Sequence, residues 1–273
     1  LRPGELSLVA GTSNIGKSSL AAHITQNVAV KEQQRVLVYS LQKTISSFML
    51  SVLASHRHLD RGQLERAALD NSQWSELALR NQWGTHGCIR LQDSAGLHSF
   101  EDLSRSIAEV QGDSFAPSLI IIDNLQMLVG GEYGGHRLQS IVCDLKRVAA
   151  KSHAAVLLIS HVNIPTQVPF ELYRLVDNAF VLTETKNRHE IKCTKNAHGG
   201  AFRVPLSFVV EKGCFEELRA TPESVVGSDS TELEIPTPLI QELEVVSTSL
   251  QENRALLTRH GHFFGLEKKL NRM

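Results

Sequence analysis

Residues 11–20 read Gly11-Thr12-Ser13-Asn14-Ile15-Gly16-Lys17-Ser18-Ser19-Leu20, two glycines enclosing four residues, then a lysine and two hydroxyl side chains. Upstream, residues 6–10 form a short apolar run of strand character. Downstream, residues 18–30 carry Leu20, Ile24 and Val28 at four-residue spacing, one face of a helix. Glycines at a strand-to-helix turn let backbone N–H groups converge on phosphate oxygens, and the helix N-terminus adds partial positive charge. In such a loop Lys17 reaches the β- and γ-phosphates and Ser18 offers its hydroxyl to Mg²⁺. The bare pattern arises by chance in roughly one chain of this length in a hundred, and the correct flanks make chance rarer still. The candidate cofactor-binding set is Gly11, Thr12, Ser13, Asn14, Ile15, Gly16, Lys17, Ser18 and Ser19.

Working outward, residues 119–123 are Leu-Ile-Ile-Ile-Asp, an unbroken apolar run ending in a carboxylate. A strand covered by helices on both faces reads this way. Asp123 at its C-terminal end would face the same sheet edge as the loop, so Ser18 and Asp123 form the candidate metal-side pair. The bland reading of Asp123 is a strand-end cap on the next turn. Further buried strands are expected at residues 35–40, 155–160 and 179–183, with helical patterns at 46–55, 100–111 and 137–152. Alternating strand and helix predict an α/β fold whose mainly parallel central sheet is covered by helices on both faces. Residues 190–194 and 202–208 flank the turn Asn196-Ala197-His198-Gly199-Gly200 and read as an antiparallel hairpin at the sheet edge.

The 273 residues suffice for one such domain with an appendage. With 42% apolar and 21% charged residues, neither global disorder nor a fibrous repeat is indicated. Lys and Arg number 28 against 29 Asp and Glu, so contact with nucleic acid would need a local basic groove. The four cysteines show no C-x-x-C spacing and no apolar run reaches spanning length, which favours a reducing, cytoplasmic setting away from membranes. Because residue 1 is Leu and a strand follows at once, an upstream region is expected to be missing.

These pieces, in this order, resemble the RecA-like ATPase domain of DnaB-type replicative helicases, superfamily 4. The segment from Leu1 through the phosphate loop is similar to the family's opening strand and Walker A. "VLVYSLQK" (36–43) is similar to its second-strand motif, "LIIIDNLQML" (119–128) to its Walker B with Leu125 and Gln126, and "KNAHGG" (195–200) to its edge hairpin. The resemblance implies a RecA-like P-loop domain over 1–215, using ATP and Mg²⁺. It also implies a hexameric homo-oligomer that draws single-stranded DNA through its pore, and subunit interfaces at which one hairpin, with Lys195, completes the neighbour's ATP site.

Several positions depart from the family pattern. The family's Ser-Leu-Glu, whose carboxylate activates water, is Ser40-Leu41-Gln42 here. An amide accepts no proton near neutral pH, so base catalysis is lost there, although Gln42 can still orient water. The finger arginine of the edge hairpin is Ala197, and such fingers contribute on the order of 10³ to 10⁵ in turnover. His161 is similar to the phosphate-sensing histidine of certain phage primase-helicases; a hydrogen-bonded histidine at a strand end is the alternative. Only "VNIPTQVP" (162–169) follows it where the family has a long DNA-gripping loop, and "GGEYGG" (130–135) occupies the place of the first DNA-facing loop. The catalytic candidates are thus Gln42, Asp123 and His161.

Residues 216–238 are acidic and rich in Pro, Ser and Thr, a linker by composition. Across 239–273, Leu239, Leu243, Val246, Leu250 and Leu257 mark an amphipathic helical tail that needs a surface, either its own core or a protein partner bound through 239–257. Two functions follow: a helicase motor domain driven by ATP hydrolysis, or a catalytically weakened nucleotide-binding module that acts through partners.

Overall fold

A computed structural model describes residues 1–57, 59–79, 87–95, 97, 99–128, 135–162, 170–185 and 188–218. The chain divides into two units, Leu1–Gly227 and Ser228–Met273. The second unit lies outside the described residues, and with it the expected tail helix. So do most of the Gly-rich stretch, residues 163–169 and the expected linker from 219 onward.

The opening strand β1 (Leu6–Gly11) passes through the glycine-cornered loop into α1 (Lys17–Gln26), which ends in a π-helical turn, Asn27–Lys31. Then follow β2 (Val36–Ser40), α2 (Ile45–Arg57), α3 (Arg61–Glu65), α4 (Asn71–Leu79), β3 (Ile89–Gln92), α5 (Phe100–Gly112) and β4 (Leu119–Asp123). A 3₁₀ turn (Leu125–Leu128) leads on to α6 (Gly135–Ser152), β5 (Ala155–His161), α7 (Phe170–Leu175), β6 (Asn178–Thr185), β7 (Arg188–Asn196), β8 (Phe202–Val209) and β9 (Cys214–Glu217). Local chemistry sets several starts. Ser99 accepts the Asp102 amide at the head of α5, with Glu101 and Asp102 complementing the helix dipole. At α4, Asp70 and Gln73 accept each other's backbone amide, a reciprocal capping box.

The nine strands form one sheet in the order β3-β2-β4-β5-β1-β6-β7-β8-β9. Pairings from β3 to β6 are parallel, and those among β6, β7, β8 and β9 are antiparallel. Although β4 is apolar throughout, its residues divide between two layers. Leu119 and Ile121 pack with Ala21 and Ala22 of α1 and Phe48 and Val52 of α2, while Ile120 and Ile122 pack with Leu103 and Ile107 of α5 and Val142 and Leu145 of α6. Burying one such side chain contributes about 1.5–3 kcal/mol relative to exposure, which is why both faces must be covered.

The expected mainly parallel sheet, its two helical layers and the antiparallel edge are all present. The sequence pattern did not anticipate β3, α3, α4, α7 or β9. Residues 214–217, Cys-Phe-Glu-Glu, sit where composition turns acidic, yet they pair with β8, so the sheet runs past the expected domain end at 215. Pairing with a neighbour strand overrides local composition there.

Candidate nucleotide-binding site

Parallel strands deliver their C-terminal ends to one edge of the sheet. Gly11 lies opposite His161, Asp123 opposite Ile159, and Ser40 opposite Asp123. Four segments separated in sequence, the loop 11–18, the turn after Ser40, Asp123 and His161, therefore meet at one edge.

The loop requires its glycines. A Cβ on Gly11 would lie 2.9 Å from the Leu182 carbonyl oxygen, and Gly16 adopts φ +97° against the ring of Phe215. Phe215, Ile15, Leu182 and Leu206 form a small apolar cluster that supports the loop from the side of β9. Asn14, at φ 61°, is one of the residue types that tolerate left-handed backbone. Lys17 is buried, and its ammonium donates to the carbonyls of Gly11 at 2.9 Å and Thr12 at 2.5 Å. Burial pulls the Lys17 pKa down, against the opposing pull of Asp123. The lysine is thereby held against the backbone of its own loop. Ser18 and Ser19 follow on the first turn of α1, with Ser19 buried.

Asp123 is only 1% exposed. It accepts a hydrogen bond from Ser18, and burial raises its pKa while Ser18, Lys43 and Lys17 oppose the rise. Its Oδ2 has no hydrogen-bond partner among the described residues. A buried carboxylate oxygen left unpaired is costly unless a cation or donor joins it, so a Mg²⁺ ion fits here beside the Ser18 hydroxyl. No group of three or more His, Cys, Asp or Glu among the described residues is arranged to hold a metal. One carboxylate, one hydroxyl and the substrate's own phosphates is the donor set magnesium usually takes.

Gln42 is exposed, and its Oε1 accepts from Asn124 Nδ2 at 3.4 Å. His161 Nδ1 lies 3.3 Å from Ser13 Oγ, which links the end of β5 to the phosphate loop. The role of Gln126 was not legible from its motif. Its Oε1 accepts the His161 amide at 3.1 Å, and its Nε2 donates to the His161 carbonyl at 2.9 Å and to Ser160 Oγ at 2.8 Å. Gln126 thus grips the backbone that presents His161.

The edge hairpin lies elsewhere. Asn178 is opposite both Ser7 of β1 and Asn196 of β7, so the 196–200 turn sits toward the N-terminal end of β1, away from the loop. There Ala197 N donates to Asn178 Oδ1, and His198 pairs with Glu5. Lys195 donates to the Tyr173 and Arg174 carbonyls at the end of α7, at 2.9 and 3.2 Å, and stands over the Tyr173 ring. Within one chain Lys195 and Ala197 do not join the residues around Asp123.

A sheet in this order, a lysine-bearing glycine loop after its first strand and an acidic residue closing β4 define a RecA-like P-loop domain. Residues 1–167 match the DnaB-like helicase C terminal domain family, and the chain belongs to that family. Among similar proteins, the replicative DNA helicase DnaB of Pasteurella multocida is 29% identical over 168 residues, covering 60% of this chain and 36% of that protein. The replicative DNA helicase DnaC of Bacillus subtilis is 24% identical over 240 residues, 78% of this chain and 52% of that one. The chain therefore spans between about a third and a half of these relatives. A solved DnaB-like replicative helicase, described together with its interactions with primase, superposes with a TM-score of 0.68 at 18% identity, covering 80% of this chain and 58% of that one, a likeness of fold. No helix among the described residues is long and apolar enough to cross a membrane.

Proposed function

We propose that this chain is the nucleotide-binding motor domain of a replicative-helicase-like protein, binding ATP with Mg²⁺ at residues 11–19 and hydrolysing it slowly. The observation that carries this reading is the buried Asp123 carboxylate with its free Oδ2, beside Ser18 and at the edge where Lys17 is held. In this reading backbone amides of the loop and the Lys17 ammonium bind the β- and γ-phosphates, and Ser18 with Asp123 holds the metal. Bound Mg²⁺ supplies charge neutralisation on the phosphate oxygens. Gln42 orients water but takes no proton from it, and His161, steadied by Gln126 and linked to Ser13, senses the terminal phosphate.

The placement of Lys195 and Ala197 far from their own loop supports a role toward a neighbouring protomer, in keeping with a ring-forming homo-oligomer acting on single-stranded DNA in the cytoplasm. The ATPase domain would run from residue 1 through β9, a linker would occupy the remainder of 216–238, and the helix over 239–257 would be a contact for a partner. A second reading is favoured by Gln42 and Ala197 together. With neither a base nor a finger, the chain would be a nucleotide-dependent binding module that regulates other proteins rather than an unwinding motor.

ATP turnover with and without single-stranded DNA, measured on the full chain alongside its mass in solution, separates the two. DNA-stimulated turnover in a large oligomer supports the motor; tight nucleotide binding with no stimulation supports the module. Lys17→Ala is expected to abolish nucleotide binding, because the phosphates lose their cation. Unchanged ATP affinity in a titration of that variant refutes the shared premise of both readings.

A further inference from the structure

Lys43 stands one residue beyond Gln42, in the turn that leaves β2, and the family resemblance assigns it nothing. That turn is fastened over the end of β4. Leu41 N donates to the Asp123 carbonyl at 2.6 Å, Ser40 Oγ donates to the Lys43 carbonyl at 2.8 Å, and Gln42 accepts from Asn124. Ser40, the strand residue opposite Asp123, is 1% exposed, so the root of the turn is buried.

The Lys43 side chain is half-buried, and its ammonium has no hydrogen-bond acceptor among the described residues. Lys17 differs, being tied to two loop carbonyls. An ammonium group carries three donors, and with none engaged by the described residues all three are free to meet a ligand. Two charges frame it. Asp123 attracts it, and Lys43 acts on the Asp123 carboxylate alongside Lys17. Arg61 repels it, and Arg61 is itself fixed by Ser51 Oγ at 2.9 Å, Ser47 Oγ at 3.2 Å and Glu65 Oε1 at 2.9 Å. Burial first and Arg61 second lower the Lys43 pKa, with Asp123 opposing. Repulsion from a fixed cation and attraction to a buried carboxylate at the phosphate site both favour placing the ammonium on the Asp123 side.

The local charge also differs from the family motif. A carboxylate at position 42 would have offset this lysine; the neutral Gln42 amide leaves Asp123 as the carboxylate that acts on it. We propose that Lys43 is a second phosphate-binding cation, acting in cis on the terminal phosphate of a bound nucleoside triphosphate. It supplies from within one chain part of the positive charge that Ala197 cannot supply from a neighbour. The site then distinguishes a triphosphate from a diphosphate without needing an assembled interface, while lacking the base that would discharge it quickly. The inference rests on the phosphate-loop reading of residues 11–19.

The test uses the full chain and two probes, ADP and a β,γ-imido analogue of ATP, each titrated with Mg²⁺. The wild-type protein is expected to prefer the triphosphate analogue. Lys43→Met is expected to weaken the analogue about tenfold or more while ADP affinity stays within about twofold, and Lys43→Arg is expected to restore most of the preference. Retained ADP binding reports that the variant is folded. If Lys43→Met weakens both ligands equally, or neither, Lys43 does not act on the terminal phosphate and the proposal is overturned while the loop reading stands. If the wild-type protein binds neither probe, the loop reading itself fails and takes the proposal with it.

Discussion

Replacing Gly16 by alanine would burden the phosphate loop in two separable ways. Gly16 sits at φ 97°, ψ 13°, and left-handed backbone costs a residue with a side chain about 1–2 kcal/mol. The new methyl would also lie 2.7 Å from Phe215 Cζ and 3.0 Å from its Cε2. Phe215 is 2% exposed, with ring centroids of Phe208 at 4.9 Å and His189 at 5.3 Å, so it has little room to retreat. Forced overpacking of this kind costs about 1–3 kcal/mol. The sum, about 2–5 kcal/mol, is a large share of a typical total stability of about 5–15 kcal/mol. The chain escapes part of that cost by opening the loop, which converts lost stability into lost nucleotide affinity, so both must be measured. Denaturant unfolding and nucleotide titration of Gly16→Ala, Phe215→Leu and the double variant form a cycle. The expected coupling is about 1–3 kcal/mol in the favourable direction, because leucine removes the ring atoms that the methyl meets. The backbone cost of about 1–2 kcal/mol persists in the double variant. Gly16→Ala with an unchanged midpoint and unchanged affinity would refute both components, and zero coupling would refute the steric one.

Asp123→Asn addresses the metal side. Because burial raises the Asp123 pKa in the folded chain, the fold binds that proton more tightly than the unfolded chain does. Its contribution is therefore most favourable below the unfolded pKa and is lost as pH rises through the raised folded one. The asparagine variant is expected to be more stable than wild type at neutral pH, with a flatter acid-side stability profile and without magnesium-dependent nucleotide binding; denaturant midpoints across pH check the first two. Gln42→Glu combined with Ala197→Arg is expected to raise ATP turnover by at least about tenfold, since a base contributes on the order of 10²–10⁴ and a finger 10³–10⁵. Flat steady-state turnover in an oligomeric sample would show that these positions do not limit the rate.

Much of the fold was legible because its signals are local. Residues 119–123 form the strand expected of them, and residues 155–160 extend in β5 by only one residue. The elements that escaped notice have weak local signals. β3 offers Ile89 and Leu91 among polar residues and is half-buried throughout, and β9 owes its extended form to β8. In the candidate site, Lys17, Ser18 and Asp123 were readable from motif chemistry and do converge. Gln126 could be read as part of a motif, but not as the clamp on His161, because its partner lies 35 residues away.

The order of residues 11–18 already determined a phosphate-shaped turn. Glycine at a left-handed position, a helix N-terminus and a lysine six residues after Gly11 are consequences of backbone geometry over a single turn. Whether that turn would meet an acidic partner was a matter of strand order, since Asp123 arrives from a strand two places away in the sheet, beyond β5. Tertiary structure alone put Ala197 and Lys195 toward the far end of β1, fastened the turn that carries Lys43 to the end of β4, and set the ring of Phe215 against Gly16. Each of those facts depends on which strands pair and in which direction, and non-local pairing leaves no periodic trace in the residues it joins.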